Sequence, residues 1–266
     1  MAAVAEERAY VIGGGAQFDS ADGVAGSAFG STELSAQTWL TGSLGRTNVE
    51  LPRRQTAKTW YADVGVDHHF NPAGIRAGLA YWGDSDFFDS IDVRGSFYVR
   101  SDWGSLSFDT EHRSFELDIP AFLDRPARDV NFHAFGAGLS SRFDIAEDLD
   151  IKASFMSYDY DVDLSIDDSG RLSNLLTISR LSLLSSLIDW RVSAGIGKDI
   201  GQSRLEFDIA RWRGSIDGSD NLSLTAGFVT PASDRTDVEI RLGFDDSDLY
   251  GEVTVLSLFV YFYGLR

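Results

Sequence analysis

The 266-residue sequence contains no cysteine, which excludes disulfide scaffolds, zinc sites with thiolate ligands and cysteine nucleophiles. It also has no run of about 18 apolar residues, so no transmembrane helix is expected, although a membrane-spanning β-strand needs only about 9–11 residues. Basic residues are outnumbered by acidic ones, 23 to 41. The net charge of −18 would repel nucleic-acid phosphates, so we expect no nucleic-acid partner.

Alternation of apolar and polar residues with a period of two is the main pattern in the sequence. In residues 59–67 the even positions are apolar and most odd positions are polar. Successive side chains of a strand point to opposite faces, so this pattern predicts strands with one apolar and one wet face. The same alternation recurs in residues 75–82, 91–100, 188–196, 204–209 and 237–244. Only 5 prolines and an aromatic content of 12% agree with strands rather than disorder.

The segments with this pattern predict an all-β fold in one domain spanning residues 1–266. Thirteen strand-like segments lie near residues 8–18, 33–44, 57–69, 74–86, 90–101, 104–117, 129–143, 148–162, 186–198, 202–214, 219–229, 236–245 and 249–263. A weaker segment lies at 171–184, and loops are expected at 20–31, 45–56 and 118–128. Because membrane barrels of single bacterial chains usually have an even number of strands, we predict a closed antiparallel barrel of about 14 strands, with 12 as the alternative.

Alternation alone does not distinguish a soluble barrel from a transmembrane one, since only the direction of the apolar face differs. Strands of about 10–14 residues, longer than the usual 5–6, favour the membrane, as does the high strand number. Aromatic residues near strand ends agree with girdles at the membrane interfaces. The proposed girdle residues are Trp60, Phe70, Tyr81, Phe87, Phe88, Trp103, Phe143 and Trp212, together with the aromatic residues of the final stretch. We therefore predict that the apolar face points toward lipid and the wet face encloses the lumen.

The stretch from Tyr250 to Tyr263, YGEVTVLSLFVYFY, resembles the terminal strand of Gram-negative outer-membrane β-barrel proteins. In that group the last strand typically ends on an aromatic residue, whereas here Gly264-Leu265-Arg266 follow Tyr263. The alternation also resembles that of monomeric porins with twelve or fourteen strands. This resemblance implies an outer-membrane location and contact with membrane lipid and lipopolysaccharide. It also implies passive diffusion of small hydrophilic solutes. The N-terminal residues lack the basic start and apolar stretch of a secretory signal, so we expect a processed chain whose residues 1–7 form a short periplasmic segment.

The wet face supplies the candidate pore-lining charges. They are Asp63, Asp67, Arg76, Asp92, Arg94, Arg100, Asp109, Lys152, Asp189, Arg191, Glu206, Asp208, Glu239 and Arg241. Interleaved charges of both signs would create transverse fields in a water-filled pore. The same residues could instead form cross-strand ion pairs in a narrow, filled interior. A plugged structural barrel that serves an envelope protein partner is therefore the second candidate function.

Aspartates accumulate in expected loops, at 84–89, 159–168 and 245–248, where divalent cations could bridge them to lipopolysaccharide phosphates. Loop aspartates more often form turns, so the sequence identifies no metal site, and no cofactor is expected.

An outer-membrane enzyme is the third candidate, and it would need one of the four histidines, at 68, 69, 112 and 133, as a base. Asp67 and His69 share a strand face, whereas Asp109 and His112 do not. No serine stands in a nucleophile motif, so we predict no enzymatic activity. The run Gly13-Gly14-Gly15 lacks the lysine of a phosphate-binding loop and is interpreted as allowing close packing in the first strand.

Overall fold

The computed structural model describes residues 9–51, 55–84, 88–119, 128–161, 187–215, 218–248 and 251–265. These residues form fourteen strands. The strands are β1 (Ala9–Asp19), β2 (Val24–Ser35), β3 (Thr38–Leu51), β4 (Gln55–His69), β5 (Ala73–Asp84), β6 (Phe88–Ser101), β7 (Gly104–Ile119), β8 (Arg128–Ala146), β9 (Leu149–Tyr160), β10 (Ile188–Ile200), β11 (Ser203–Gly214), β12 (Asp220–Ser233), β13 (Thr236–Ser247) and β14 (Gly251–Leu265). Nowhere in these ranges is there a helix that could span a membrane.

The strands close into one antiparallel barrel in which each strand pairs with its neighbours in sequence. Closure is made by β1 and β14, which pair from Ala9 opposite Leu265 to Asp19 opposite Val255. Six two- to three-residue turns, from β2–β3 to β12–β13, lie at one end, called here the short-turn end. The other connections, including those of residues 120–127 and 161–187, join strands at the opposite end, called the long-connection end. The predicted closed barrel of 14 strands is confirmed.

The two faces of the barrel are inverted relative to a soluble protein. Large apolar side chains are exposed on the outer face, for example Leu79 at 52% and Val93 at 51%. Buried polar residues such as Asp92, Glu111 and Ser257 lie on the inner face. Burial of a polar group costs free energy unless the group forms hydrogen bonds with protein or water. The distribution therefore fits a barrel with an apolar exterior and a polar interior.

The sequence-based assignment is wrong in two segments, 20–31 and 45–56, which were expected to be loops. The structure places strand β2 at Val24–Ser35, where a loop was expected over 20–31, and it divides the predicted strand 33–44 between β2 and β3. Residues 45–51 and 55–56, expected in a loop, belong to β3 and β4. The weak segment 171–184, which completed the predicted count of fourteen, lies outside the described residues. The count of fourteen is confirmed, whereas β2 was not predicted as a separate strand.

The aromatic girdles are confirmed in part. Trp60 and Tyr81 are exposed toward the long-connection end, while Trp103 stacks on Phe143 at the short-turn end with ring centroids 5.4 Å apart. Phe70 is exposed at the short-turn end as well. Phe87 lies outside the described residues.

Phe88 and Trp212 were assigned to the girdles incorrectly, because their strand positions direct them inward. Phe88 belongs to a buried cluster on the inner face near the long-connection end, called here the wall cluster, and Trp212 packs against it. The members of the wall cluster are Trp82, Phe88, Phe115, Phe132, Ala134, Tyr158, Leu187 and Ile188. Its rings are in direct contact, with Phe115 and Phe132 stacked at 4.8 Å. This cluster is the apolar core of the barrel, and it covers one side of the inner wall.

Candidate functional site on the inner face

The inner face brings together the charged residues proposed from sequence. Thirteen of the fourteen lie on one continuous face, because residues that pair across neighbouring strands share a face. One such series runs from Arg191 through its partner Met156 and then Gly138 to Asp109. Asp189 is the exception, because it lies at the register shift between Ile188 and Trp190 and is exposed there. The role of these residues in conduction stays a prediction.

The first inner network lies on β4, β6, β7 and β9 and is centred on Glu111. Arg94 donates from Nε to Glu111 Oε1 at 2.9 Å, and Tyr158 donates its hydroxyl to Glu111 Oε2 at 2.6 Å. Arg113, which is buried, lies with its Nε 3.3 Å from Glu111 Oε2 and 3.8 Å from Asp92 Oδ2. Each buried charge therefore faces one of opposite sign, which offsets the cost of removing it from water.

The second inner network runs along the wall from β8 to β14. Asp150 accepts hydrogen bonds from Arg142, at 3.0 Å, and from Arg204. Arg204 also donates to Glu206 at 2.9 Å. Arg241 continues the chain, because it contacts Glu206 at 3.5 Å and pairs with Glu239, which also accepts from Tyr261. A separate pair, Lys152 with Asp208 at 2.7 Å, lies beside this network.

A third group surrounds Tyr98 near the short-turn end. The Tyr98 hydroxyl donates to Asp67 Oδ1 at 2.5 Å, and Arg76 Nε donates to Asp67 Oδ2 at 2.9 Å. The guanidinium carbons of Arg76 and Arg100 lie 4.6 and 4.8 Å from the centre of the Tyr98 ring, within cation–π range. His69 stacks on the same ring at 6.2 Å. This group holds two guanidinium groups and one carboxylate.

Asp109 is held differently, by hydroxyl groups alone. It accepts hydrogen bonds from Ser107 at 2.8 Å, from Ser140 at 2.7 Å and from Ser96. Three donors satisfy much of a carboxylate's accepting capacity without a cation.

Charge is unevenly distributed around the lumen. The inner positions of β14, β1, β2 and β3 form an arc of the wall. Within the described parts of these strands, the inner positions are uncharged except for Asp19 at the long-connection end and Glu33 near the short-turn end. Glycines let aromatic rings lie against this arc, because a Cβ on Gly13 would come within 2.4 Å of the Phe29 ring and one on Gly15 within 2.2 Å of the Phe259 ring. The interpretation of Gly13-Gly14-Gly15 as a close-packing motif agrees with these contacts. The lumen therefore has a charged wall on β4–β13 and an uncharged one opposite.

The histidines are divided between the two faces. His69 faces inward beside Tyr98, whereas His112 and His133 stack on the outer face with ring centroids 5.6 Å apart. Asp109 and His112 lie on opposite faces, as the alternation predicts. Within the described ranges, no three or more histidine, cysteine or acidic side chains are grouped so as to hold a metal ion. Asp86, Asp163, Asp167 and Asp168 of the acidic loops lie outside those ranges.

Sequence reasoning missed several inner residues of these networks. Glu111 and Arg113 follow Asp109 at period two on β7, but the polar His112 between them hides the alternation. Asp150 and Arg204 stand next to turns, where charge is expected in any case. Alternation places Tyr61 and Tyr98 on the wet face, but it did not mark them or Tyr158 as partners of charges, because tyrosine suits an apolar face as well as a wet one.

No protein-family model and no curated protein sequence matches this chain. Solved structures do match it in fold. OmpTdeltaL8, a loop L8 deletion mutant of the Vibrio cholerae outer membrane protein OmpT, superposes with a TM-score of 0.53 at 8% identity, covering 97% of this chain and 98% of that one. The KdgM porin gives 0.50 at 8% identity over 95% and 98%, and Acinetobacter baumannii OccAB1 gives 0.50 at 9% over 97% and 96%. At such identities the likeness establishes the barrel fold alone.

Proposed function

We propose that this chain is an outer-membrane channel through which small hydrophilic solutes diffuse passively. The observation that carries the proposal is the exposure of charged side chains on the inner face, because Arg76, Arg142 and Lys152 are each about half exposed there. Long cations that remain accessible inside a barrel require water around them. One solved structure of similar fold is a porin by name, which agrees with this proposal.

The paths of the inner networks also favour an open lumen. Their contacts join strands that are adjacent or two positions apart, as from Arg204 on β11 to Asp150 on β9 or from Arg94 on β6 to Tyr61 on β4. Such contacts line the wall and leave the centre of the barrel to solvent. Barrels of 16–18 strands enclose aqueous channels and those of 8 strands are filled by side chains, so fourteen strands leave room for a narrower pore.

The outer face supports an outer-membrane location. Its exposed apolar residues form a band between aromatic residues at both ends, as lipid-facing surfaces of bacterial barrels do. Lipid and lipopolysaccharide are therefore the proposed surroundings, with divalent cations at the acidic loops and an envelope protein as further proposed partners. We predict no enzymatic activity.

A plugged structural barrel is the second candidate, and the wall cluster favours it. Phe115, Phe132 and Ile188 are almost fully buried on the inner face, as residues of a filled core would be. In that case the lumen would be narrowed at the long-connection end, and the barrel would act as an anchor for an envelope partner.

Planar-bilayer recording tests the two candidates directly. Purified protein inserted into a lipid bilayer is expected to give discrete current steps whose size is proportional to voltage, because ions cross a water-filled lumen without a conformational cycle. Insertion is checked separately by flotation of the protein with lipid vesicles. If the protein inserts, remains folded and conducts no current, the channel proposal is wrong and the plugged barrel is favoured.

A further inference from the structure

Cations are more exposed than carboxylates in most ion pairs of the inner face. The exposed side-chain fraction is 57% for Arg142 against 7% for its partner Asp150, and 40% for Arg94 against 7% for Glu111. In these pairs the wall thus presents nitrogen donors to the lumen, and the paired carboxylates lie behind them. Further pairs with the same order are Arg76 and Asp67 (49% and 24%), Lys152 and Asp208 (46% and 26%), and Arg241 and Glu239 (37% and 1%).

Three of the observed ion pairs, formed by Arg113 and Arg204, depart from this order. Arg113 is as buried as its partners Asp92 and Glu111, so a solute meets neither sign there. Asp199 is more exposed than Arg204, but it lies in the last residues of β10 beside a turn at the short-turn end. Among the side chains that form ion pairs on the inner face between the two ends, the cations are therefore the more exposed.

Hydrogen-bonding capacity shows the same asymmetry. Glu111, Asp150 and Glu239 each accept from two or more arginine or tyrosine donors, so much of their accepting capacity is already used. An arginine carries five N–H donors, and the lumen-facing arginines use only part of them. A solute in the lumen therefore finds donors to bind, which suits carboxylate, phosphate or halide ions better than cations.

The group around Tyr98 is the strongest candidate for anion contact. Its two guanidinium groups share one carboxylate, and among the described residues Arg100 forms no ion pair within 4.0 Å. Because Asp67 already accepts from Tyr98 and pairs with Arg76, its negative charge is partly offset, and an anion between Arg76 and Arg100 would meet two positive charges and one partly neutralised carboxylate. The group also lies near the short-turn end, where every entering or leaving solute must pass.

We infer that the lumen selects small anions, with Arg76 and Arg100 as its main anion-contacting residues, although the whole chain carries a net charge of −18. This inference rests on the proposed channel function and names its solute class. The opposite expectation follows from the net charge, which would favour cations throughout. Much of the acidic excess, however, lies in connections and at strand ends, as at Asp22, Glu147, Asp148, Asp234 and Asp248.

Selectivity is measured as the zero-current potential of the inserted protein under a gradient of KCl. Ionic strength is kept near 0.1 M on the dilute side, where the Debye length is about 10 Å and lumen charges still act on ions. We expect chloride to be more permeant than potassium, by about threefold. The double substitution Arg76→Gln and Arg100→Gln is expected to bring this ratio to about 1 or below it, since it removes two donors and two positive charges.

Arg46→Gln is the matched control, because it removes the same charge from the outer face, where Arg46 lies over the Trp60 ring at 5.0 Å. We expect it to leave the permeability ratio unchanged. Folding of each variant is checked by its heat-modifiable electrophoretic mobility, and Arg100→Gln alone serves if the double variant does not fold. A channel that prefers potassium, or a ratio that Arg46→Gln changes as much as the inner substitutions do, overturns the anion inference and leaves the channel proposal intact. A silent but inserted protein overturns both.

Discussion

Replacing Leu79 with arginine is expected to lower the free energy of unfolding of the barrel in lipid bilayers by about 2–4 kcal/mol. Leu79 lies in the middle of β5 on the outer face, between Val64 of β4 and Val93 of β6. A guanidinium group at this position would be placed among apolar side chains and lipid tails, where nothing compensates its lost hydration. Denaturant titration of protein folded into vesicles measures the loss.

Gln17→Arg is the control for this prediction, because it introduces the same side chain on the inner face. Gln17 lies between Ser257 and Ala25 in the uncharged arc, where an added guanidinium group would be hydrated by lumen water. We expect its cost to stay within about 1 kcal/mol, since lumen substitutions in such barrels change selectivity more than stability. Equal losses for the two variants would show that the two faces do not differ as described.

Replacing Glu111 with glutamine is expected to cost about 3 kcal/mol of unfolding free energy. The substitution keeps the shape of the side chain and removes the negative charge that faces Arg94 and Arg113. Arg113 would then remain buried, with Asp92, at 3.8 Å, as its counter-charge among the described residues. Because Asp92 remains, the cost falls at the lower end of the range for breaking a buried ion pair. The same titration in vesicles measures it.

The exposed ion pair of Lys198 and Asp148 provides the comparison. Its atoms are 3.1 Å apart, but both side chains are more than half exposed at the short-turn end. Asp148→Asn is therefore expected to change stability by less than about 1 kcal/mol. A loss at Glu111 no larger than that at Asp148 would mean that the Glu111 network is hydrated and does not stabilise the wall.

Alternation predicted best the strands that carry large apolar residues at their outer positions. Residues 59–67 of β4 and 237–244 of β13 are such segments, and both were recognised. Strand β2 was missed because its outer positions include Gly26, Ala28 and Gly30, which give no apolar signal. Pairing with β1 and β3 supplies the hydrogen bonds that define this strand, and a single sequence does not encode those partners locally.

The inner networks could be predicted only as a set of charges. Which charges meet depends on register and on contacts between strands two positions apart, such as Tyr158 on β9 with Glu111 on β7. The inward direction of Phe88 and Trp212 could not be inferred either, because an aromatic residue near a strand end suits a girdle as well as an inner cluster. The faces were thus predictable from alternation, whereas the partners on each face required the three-dimensional structure.

Cysteine labelling in a lipid bilayer tests the central claim most directly, because the chain has no cysteine of its own. Thr225 and Leu224 are neighbours on β12, and Thr225 pairs with Asp208 on the inner face while Leu224 is exposed on the outer one. A charged, water-soluble thiol reagent is expected to label Thr225→Cys in folded protein and to leave Leu224→Cys unlabelled. Labelling of Leu224→Cys with protection of Thr225→Cys would show that the apolar face is the wet one and would contradict the channel account.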